Sequence, residues 1–179
     1  MNIRKIIINS YLTIKAIKIE SLNDFNIFVG QNNHGKTNIF EAIEWFFNGP
    51  RKGEPLNILR HCLDSSYPVE VQIEFDRLQN AVQKMRNITN AAKFKAYEDN
   101  ETILIRRTSA NEGKKREICD TENNIWKDSG TGFDKALDDL LSRFEYIDTK
   151  KTFEDGSSYK KTTPRGIILS LLLSEYYGN

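Results

Sequence analysis

Apolar and polar side chains alternate without a break along Val69-Glu-Val-Gln-Ile-Glu-Phe75. Successive residues of a strand point to opposite faces, so this run predicts a strand with one face wet, which suits an antiparallel neighbour. Ile3–Ile8 predicts another strand. Ile14–Ile19 mixes isoleucines and alanine with Lys15 and Lys18 and predicts a half-exposed one. Phe25–Val29 is short, mostly apolar and ends directly in Gly30, the pattern of a buried strand. The period then changes. Ile39, Phe40, Ile43, Phe46 and Phe47 fall at helical spacing, and Asn48-Gly49-Pro50 supplies the stop.

Further along, Arg51–Ser66 reads as a loop and Asp76–Tyr97 as a helix with Leu78, Val82, Met85, Ile88 and Phe94 on one side. Thr102–Arg107 predicts a strand, and Arg116–Cys119 with Asn124–Lys127 a hairpin turning at Asp120–Asn123. Phe133–Phe144 predicts an amphipathic helix, Glu145–Asp148 a short strand, Lys150–Arg165 a polar loop and Gly166–Tyr177 an apolar helix. Neither a repeat nor a composition break divides the chain. The expectation is one α/β lobe over 1–179, with an antiparallel strand-rich insertion at 66–130.

Composition narrows this picture little. The chain has 179 residues, 26 basic and 25 acidic, so its net charge of +1 exerts no global pull on polyanions. Cys62 and Cys119 lack the spacing of a metal site or a disulfide framework and are expected to be free thiols in a reducing cytoplasm. No run approaches the roughly 20 apolar residues a membrane span needs, and the N-terminal apolar stretch is too short for a signal peptide. No membrane partner is expected.

The chemistry lies between the buried-strand pattern and the helix after it. Gly30-Gln31-Asn32-Asn33-His34-Gly35-Lys36-Thr37 satisfies the glycine-rich phosphate-loop pattern, followed by Asn38. A helix start carries unpaired N–H groups and partial positive charge, so it receives an anion. Glycine at 30 and 35 permits backbone angles and close approach that a Cβ obstructs. Residues 30–38 are therefore the expected nucleotide-binding residues, Lys36 reaching the β- and γ-phosphates as the catalytic cation and Thr37 holding Mg²⁺. His34 is a solvent-facing spacer on the plainer reading, and its charge could tune phosphate affinity. Arg60–His61 reads as a surface loop pair. Arg106-Arg107, Lys114-Lys115-Arg116 and Lys160-Lys161 are basic clusters with acids close by, which favours solvated faces over a DNA track but leaves DNA open as a partner.

With three early strands before its loop, the chain differs from a dinucleotide-binding fold, which has one. Ile3–Ile8, Tyr11-Leu-Thr-Ile-Lys15, Val29-Gly-Gln-Asn-Asn-His-Gly-Lys-Thr-Asn38 and Glu41-Ala-Ile-Glu-Trp45 together resemble the ABC-type ATPases, within them the RecF-like, SMC-like and OLD proteins. The likeness is specific over 1–47 and weaker at Phe144-Glu-Tyr-Ile147. It implies the N-terminal lobe of an ATPase head, with a mixed core sheet and an antiparallel β subdomain. It also implies ATP and Mg²⁺ as cofactors and a homodimer closing around two nucleotides, in DNA processing or antiphage defence. Leu12 stands where many relatives have arginine, so the contact an arginine would make there is not expected of this chain. An acidic residue ending an apolar strand, a Leu-Ser-Gly-Gly-type signature and a switch histidine are all missing from the sequence. The expectation is an ATPase with an incomplete active site, completed by a C-terminal lobe or a partner subunit. A non-catalytic, ATP-dependent assembly module is the alternative. A small-molecule kinase is a weaker one, and a GTPase is disfavoured by the lack of an Asn-Lys-x-Asp motif.

Overall fold

Strand alternation dictates the architecture. In the computed structural model, β1 (Ile3–Tyr11), β2 (Ile14–Ile19), β3 (Glu70–Asp76), β4 (Thr102–Thr108), β5 (Arg116–Asp120) and β6 (Ile125–Asp128) form one sheet. Its order is β2-β1-β3-β4-β5-β6. The structure describes residues 1–31, 35–50, 53, 55–61, 66–97, 99–120, 125–128, 130–141 and 144. Among them every strand pairing is antiparallel, with Ile8 opposite both Ile17 and Val71, and Ile73 opposite Ile105. The strands of 66–130 thus continue the sheet that β1 and β2 begin.

One face of the sheet carries Ile6, Ile8, Val71, Ile73, Phe75, Ile103, Ile105 and Ile118, all buried. Helix α1 (Lys36–Asn48) lays Ile39, Ala42, Ile43, Trp45 and Phe46 inward, and the Phe46 and Phe75 rings lie 6.2 Å apart. Farther along, Phe94 meets Phe133 of α4 (Phe133–Leu140) with ring centroids 5.1 Å apart. The opposite face is a ladder of cross-strand ion pairs, the sheet's counterpart of helical neighbour pairing. Lys5 pairs with Glu74, and Arg106 lies between Glu70 at 2.9 Å and Glu117 at 2.5 Å, its guanidinium 4.3 Å over the Trp126 ring.

Four expectations need correction. Phe25–Val29 is not a buried strand: the segment is irregular, and Phe25, Ile27 and Val29 are 80%, 72% and 90% exposed. Asn26 closes a local turn instead, accepting from the Asn23 amide at 3.0 Å and donating to the Asn23 carbonyl at 2.6 Å, and no described strand pairs with the segment. The single helix expected over 76–97 is broken into α2 (Leu78–Gln83), α3 (Ile88–Ala91) and a 3₁₀ turn, Ala92–Tyr97. Asn87, in extended backbone, caps α3 through the Asn90 amide. Arg51–Ser66 includes a 3₁₀ turn at Leu56–Leu59 and an isolated bridge from Arg60 to Tyr11. The helix from Phe133 ends at Leu140.

Cys119 is buried, and burial pushes its thiol pKa up. Asp76 ties the start of β1 to the end of β3. Burial alone would raise its pKa, but the Asn2 amide and the Arg4 guanidinium hold it below the ordinary carboxylate value. The chain divides into two compact units, 1–143 and 144–179, and Phe144 alone of the second is described. The expected strand at 145–148, loop at 150–165, helix at 166–177 and Lys160-Lys161 cluster lie outside the described residues, as does Cys62. No helix among the described residues is long and apolar enough to cross a membrane.

Candidate nucleotide-binding site

Helix α1 begins without any side-chain cap. Its N-cap is Gly35, in the left-handed region at φ 80°, ψ 8°, and its first turn holds no acid. The Ile39 amide already bonds the Gly35 carbonyl, which leaves the N–H groups of the first turn without intrahelical acceptors. The partial positive charge of the helix start is therefore open to an external anion.

Lys36 adds a full charge there. Its ammonium folds back into the crook of the loop, donating to the carbonyls of Gly30 at 2.5 Å and Gln31 at 2.6 Å. No described carboxylate pairs with it. Held only by neutral carbonyls, the cation is free to exchange them for phosphate oxygens, which form stronger, charge-assisted bonds. Thr37, next along the first turn, is exposed. These residues fit a magnesium-bound triphosphate: N–H groups and the Lys36 ammonium for the phosphates, the Thr37 hydroxyl for the metal. Bound Mg²⁺ would neutralise charge between the phosphates. Gly30, Gln31, Gly35, Lys36, Thr37 and Asn38 lie in the loop and the first turn of α1, while Asn32, Asn33 and His34 lie outside the described residues.

Sequence reasoning missed Thr13. It sits in the two-residue turn between β1 and β2, and its hydroxyl accepts from Asn38 Nδ2 at 2.7 Å. A Cβ added at Gly35 would lie 3.2 Å from that same oxygen. The turn is itself anchored, because the Leu12 amide donates to Leu59 at 2.8 Å and the His61 amide to Ser10 at 3.0 Å. Leu12 occupies the left-handed region at φ 48°. Thr13 thus ties the β1–β2 turn to the first turn of α1, and the only sequence signal for it is its place at a strand-to-strand turn. Thr13→Val, which keeps shape and removes the acceptor, is expected to weaken nucleotide affinity about fivefold, the value of one hydrogen bond. Titration calorimetry would read this, with Thr13→Ser close to wild type.

The other candidates are not where the sequence put them. His61 is buried rather than in a surface pair. Arg107 and Arg116 are 4% and 2% exposed and belong neither to a solvated face nor to a DNA track. Arg107 donates to the Phe46 carbonyl near the end of α1 at 2.9 Å and to the Gly113 carbonyl. Burial first, then the charge of Arg116, lowers its pKa to about 10. Arg116 pairs with Asp134 at 2.7 Å and Asp138 at 2.6 Å. Lys114 pairs with Glu112 at the surface. Among the described residues no cluster of three or more histidine, cysteine or acidic side chains forms a metal site.

A family model described as AAA ATPase domain matches residues 1–170. The Old nuclease of Escherichia phage P2 is 28% identical over 159 residues, which are 86% of this chain and 26% of the nuclease. The DNA replication and repair protein RecF of Glaesserella parasuis is 37% identical over 49 residues, 27% of this chain and 14% of that protein. The chain therefore spans about a quarter of the length of Old nuclease. Among solved structures, one from work on ATP-driven dimerisation and DNA-stimulated activation of SMC ATPases superposes with a TM-score of 0.56. It is 18% identical, the match covering 97% of this chain and 98% of that one, and the likeness is one of fold.

Proposed function

The chain belongs to the AAA ATPase domain family, as an ABC-type ATPase lobe of the OLD, RecF and SMC kind, and from that premise we propose that it binds MgATP at residues 30–38. Completed by a second lobe, it hydrolyses that ATP and closes with a second copy around two nucleotides. It does so in the cytoplasm, in DNA processing or antiphage defence. The observation that carries this is the Lys36 ammonium turned into the loop beside an uncapped helix start.

Two further features support the reading. Phe25, Ile27 and Val29 are exposed directly ahead of the loop, an apolar surface that the rest of the head would cover. The names of the similar proteins point the same way: ATP-driven dimerisation and DNA-stimulated activation for the SMC ATPase, DNA repair for RecF, nuclease for Old.

Analytical ultracentrifugation with and without a slowly hydrolysed ATP analogue, beside single-turnover hydrolysis, tests the proposal. Residues 1–179 alone are expected to bind nucleotide weakly and to turn over slowly or not at all, and the complete head to dimerise with nucleotide and hydrolyse it. Brisk single-turnover hydrolysis by residues 1–179 would refute the incomplete site. A complete head that dimerises but never turns over would be the non-catalytic assembly module.

A further inference from the structure

Helix α1 offers its positive end to the phosphates, and its negative end is relieved by a cation it does not own. Its last turn contains no basic residue. The charge comes from β4, where the buried Arg107 donates through Nε to the Phe46 carbonyl at 2.9 Å and through Nη1 to the Gly113 carbonyl. The C-terminal end of a helix is the favoured place for such a cation. Two glycines make room for the grip. A Cβ at Gly49, just past the helix, would lie 3.0 Å from Arg107 Nη1, and one at Gly113 would lie 2.9 Å from Trp45 Cζ2. Their φ angles, 77° and 64°, favour glycine as well. The turn between β4 and β5 thus closes on the end of α1 at Trp45, and the guanidinium does so at Phe46.

For stability alone this is a poor choice of side chain. Arg107 stands directly opposite Arg116 across β4 and β5, and among the described residues its hydrogen bonds go to carbonyls and none to a carboxylate. Asp134 and Asp138 bond Arg116 instead. A buried cation facing another costs desolvation and repulsion that an apolar side chain at 107 would avoid. Charged it stays, since its pKa falls only to about 10. Local rules broken in this way cluster where a protein serves its function. The service here is placement. Apolar packing at Ile39, Ala42, Ile43 and Phe46 holds α1 against the sheet, but such packing is non-directional. Direction comes from polar ties: Asn38 to Thr13 in the first turn, and Phe46 to Arg107 about 15 Å along the helix axis from Lys36. We propose that Arg107 is a positioning residue for the nucleotide: it grips the far end of α1 and so aims the first turn, with Lys36 and Thr37, at the phosphates. This rests on the reading of residues 30–38 as the MgATP site.

The test is titration calorimetry with MgATP under conditions where circular dichroism shows each variant fully folded. Arg107→Met is expected to lower ATP affinity about tenfold, the cost of one misaligned charge-assisted contact to phosphate. Arg107→Lys should recover part of that loss, since an ammonium can still donate to the Phe46 carbonyl. The control is Arg116→Met. That arginine is equally buried on the neighbouring strand but bonds α4, so its loss should leave ATP affinity near wild type whatever it does to stability. Equal losses in Arg107→Met and Arg116→Met would reduce the effect to general loosening and overturn the proposal. So would unaltered affinity in Arg107→Met. Should that variant not fold, Gly113→Ala decides by the same reading, because its Cβ presses on Trp45 at the same end of α1. A loss of affinity there supports the proposal, and wild-type affinity overturns it. A wild type that binds no MgATP, or Lys36→Ala that binds it undiminished, removes the nucleotide site and the positioning role together. If Lys36→Ala loses binding while Arg107→Met keeps it, the positioning role alone fails and the nucleotide site stands.

Discussion

Lys36→Ala is expected to lower ATP affinity by at least about 100-fold, or about 3 kcal/mol, the value of a charge-assisted contact to phosphate lost together with its Coulombic attraction. The reason lies in what holds the ammonium now. Two loop carbonyls orient it without neutralising it, so its full charge is available to the β- and γ-phosphates. Alanine leaves the loop's N–H groups in place, so weak residual binding should survive. Lys36→Arg is not expected to rescue it, because a planar guanidinium cannot occupy the same crook as a compact ammonium. Titration calorimetry with MgATP is the measurement. Affinity unchanged in Lys36→Ala would mean that the triphosphate sits elsewhere, and the functional reading would go with it.

The second large effect is on stability. Arg116→Ala should destabilise the protein by about 3 kcal/mol, close to 10 °C in Tm for a domain of this size. Its guanidinium is buried and bonds Asp134 through the side chain and the carbonyl, and Asp138 through the carboxylate. Removing it breaks these bonds and opens space between β5 and α4. Arg116→Lys should recover little, since one ammonium cannot span two aspartates in the planar fork geometry. Arg116→Met should recover more, because a buried ion pair costs desolvation that an apolar side chain avoids. Urea unfolding of the three variants would rank them. A loss below about 1 kcal/mol in Arg116→Ala would class the cluster with surface ion pairs.

The contrast between these two residues shows what the sequence revealed. Lys36 is legible because its neighbours impose their own grammar: glycine, lysine, hydroxyl and the onset of a helical period fall in register. Arg116 and Arg107 look in one dimension like surface charge. Strand parity was the signal available. Arg107 shares a face with Ile103 and Ile105, and Arg116 with Ile118, so the same two-residue period that located the strands also buries these arginines. What parity cannot supply is the partner, since Asp134 and Asp138 come from a helix packed across the sheet.

The misreadings have equally local causes. A period of apolar residues promised one helix over 76–97, but Asn87 offers its side chain to a nearby amide and restarts the chain as a new helix. Phe25–Val29 has the composition of a buried strand, and burial depends on a neighbour that composition cannot provide. Thr13 was hidden for the opposite reason. A threonine at a turn is ordinary, and only its 2.7 Å bond to Asn38 gives it a role.

The order of strands has a consequence for how this molecule tolerates change. β1 and β3 lie side by side, yet residues 20–69, phosphate loop and α1 included, separate β2 from β3 along the chain. The nucleotide machinery is thus slung as a detour from the hem of the cloth to a thread inside it. Residues of the detour that touch neither the seam nor the loop can drift, lengthen or be exchanged while the weave beneath them stays whole.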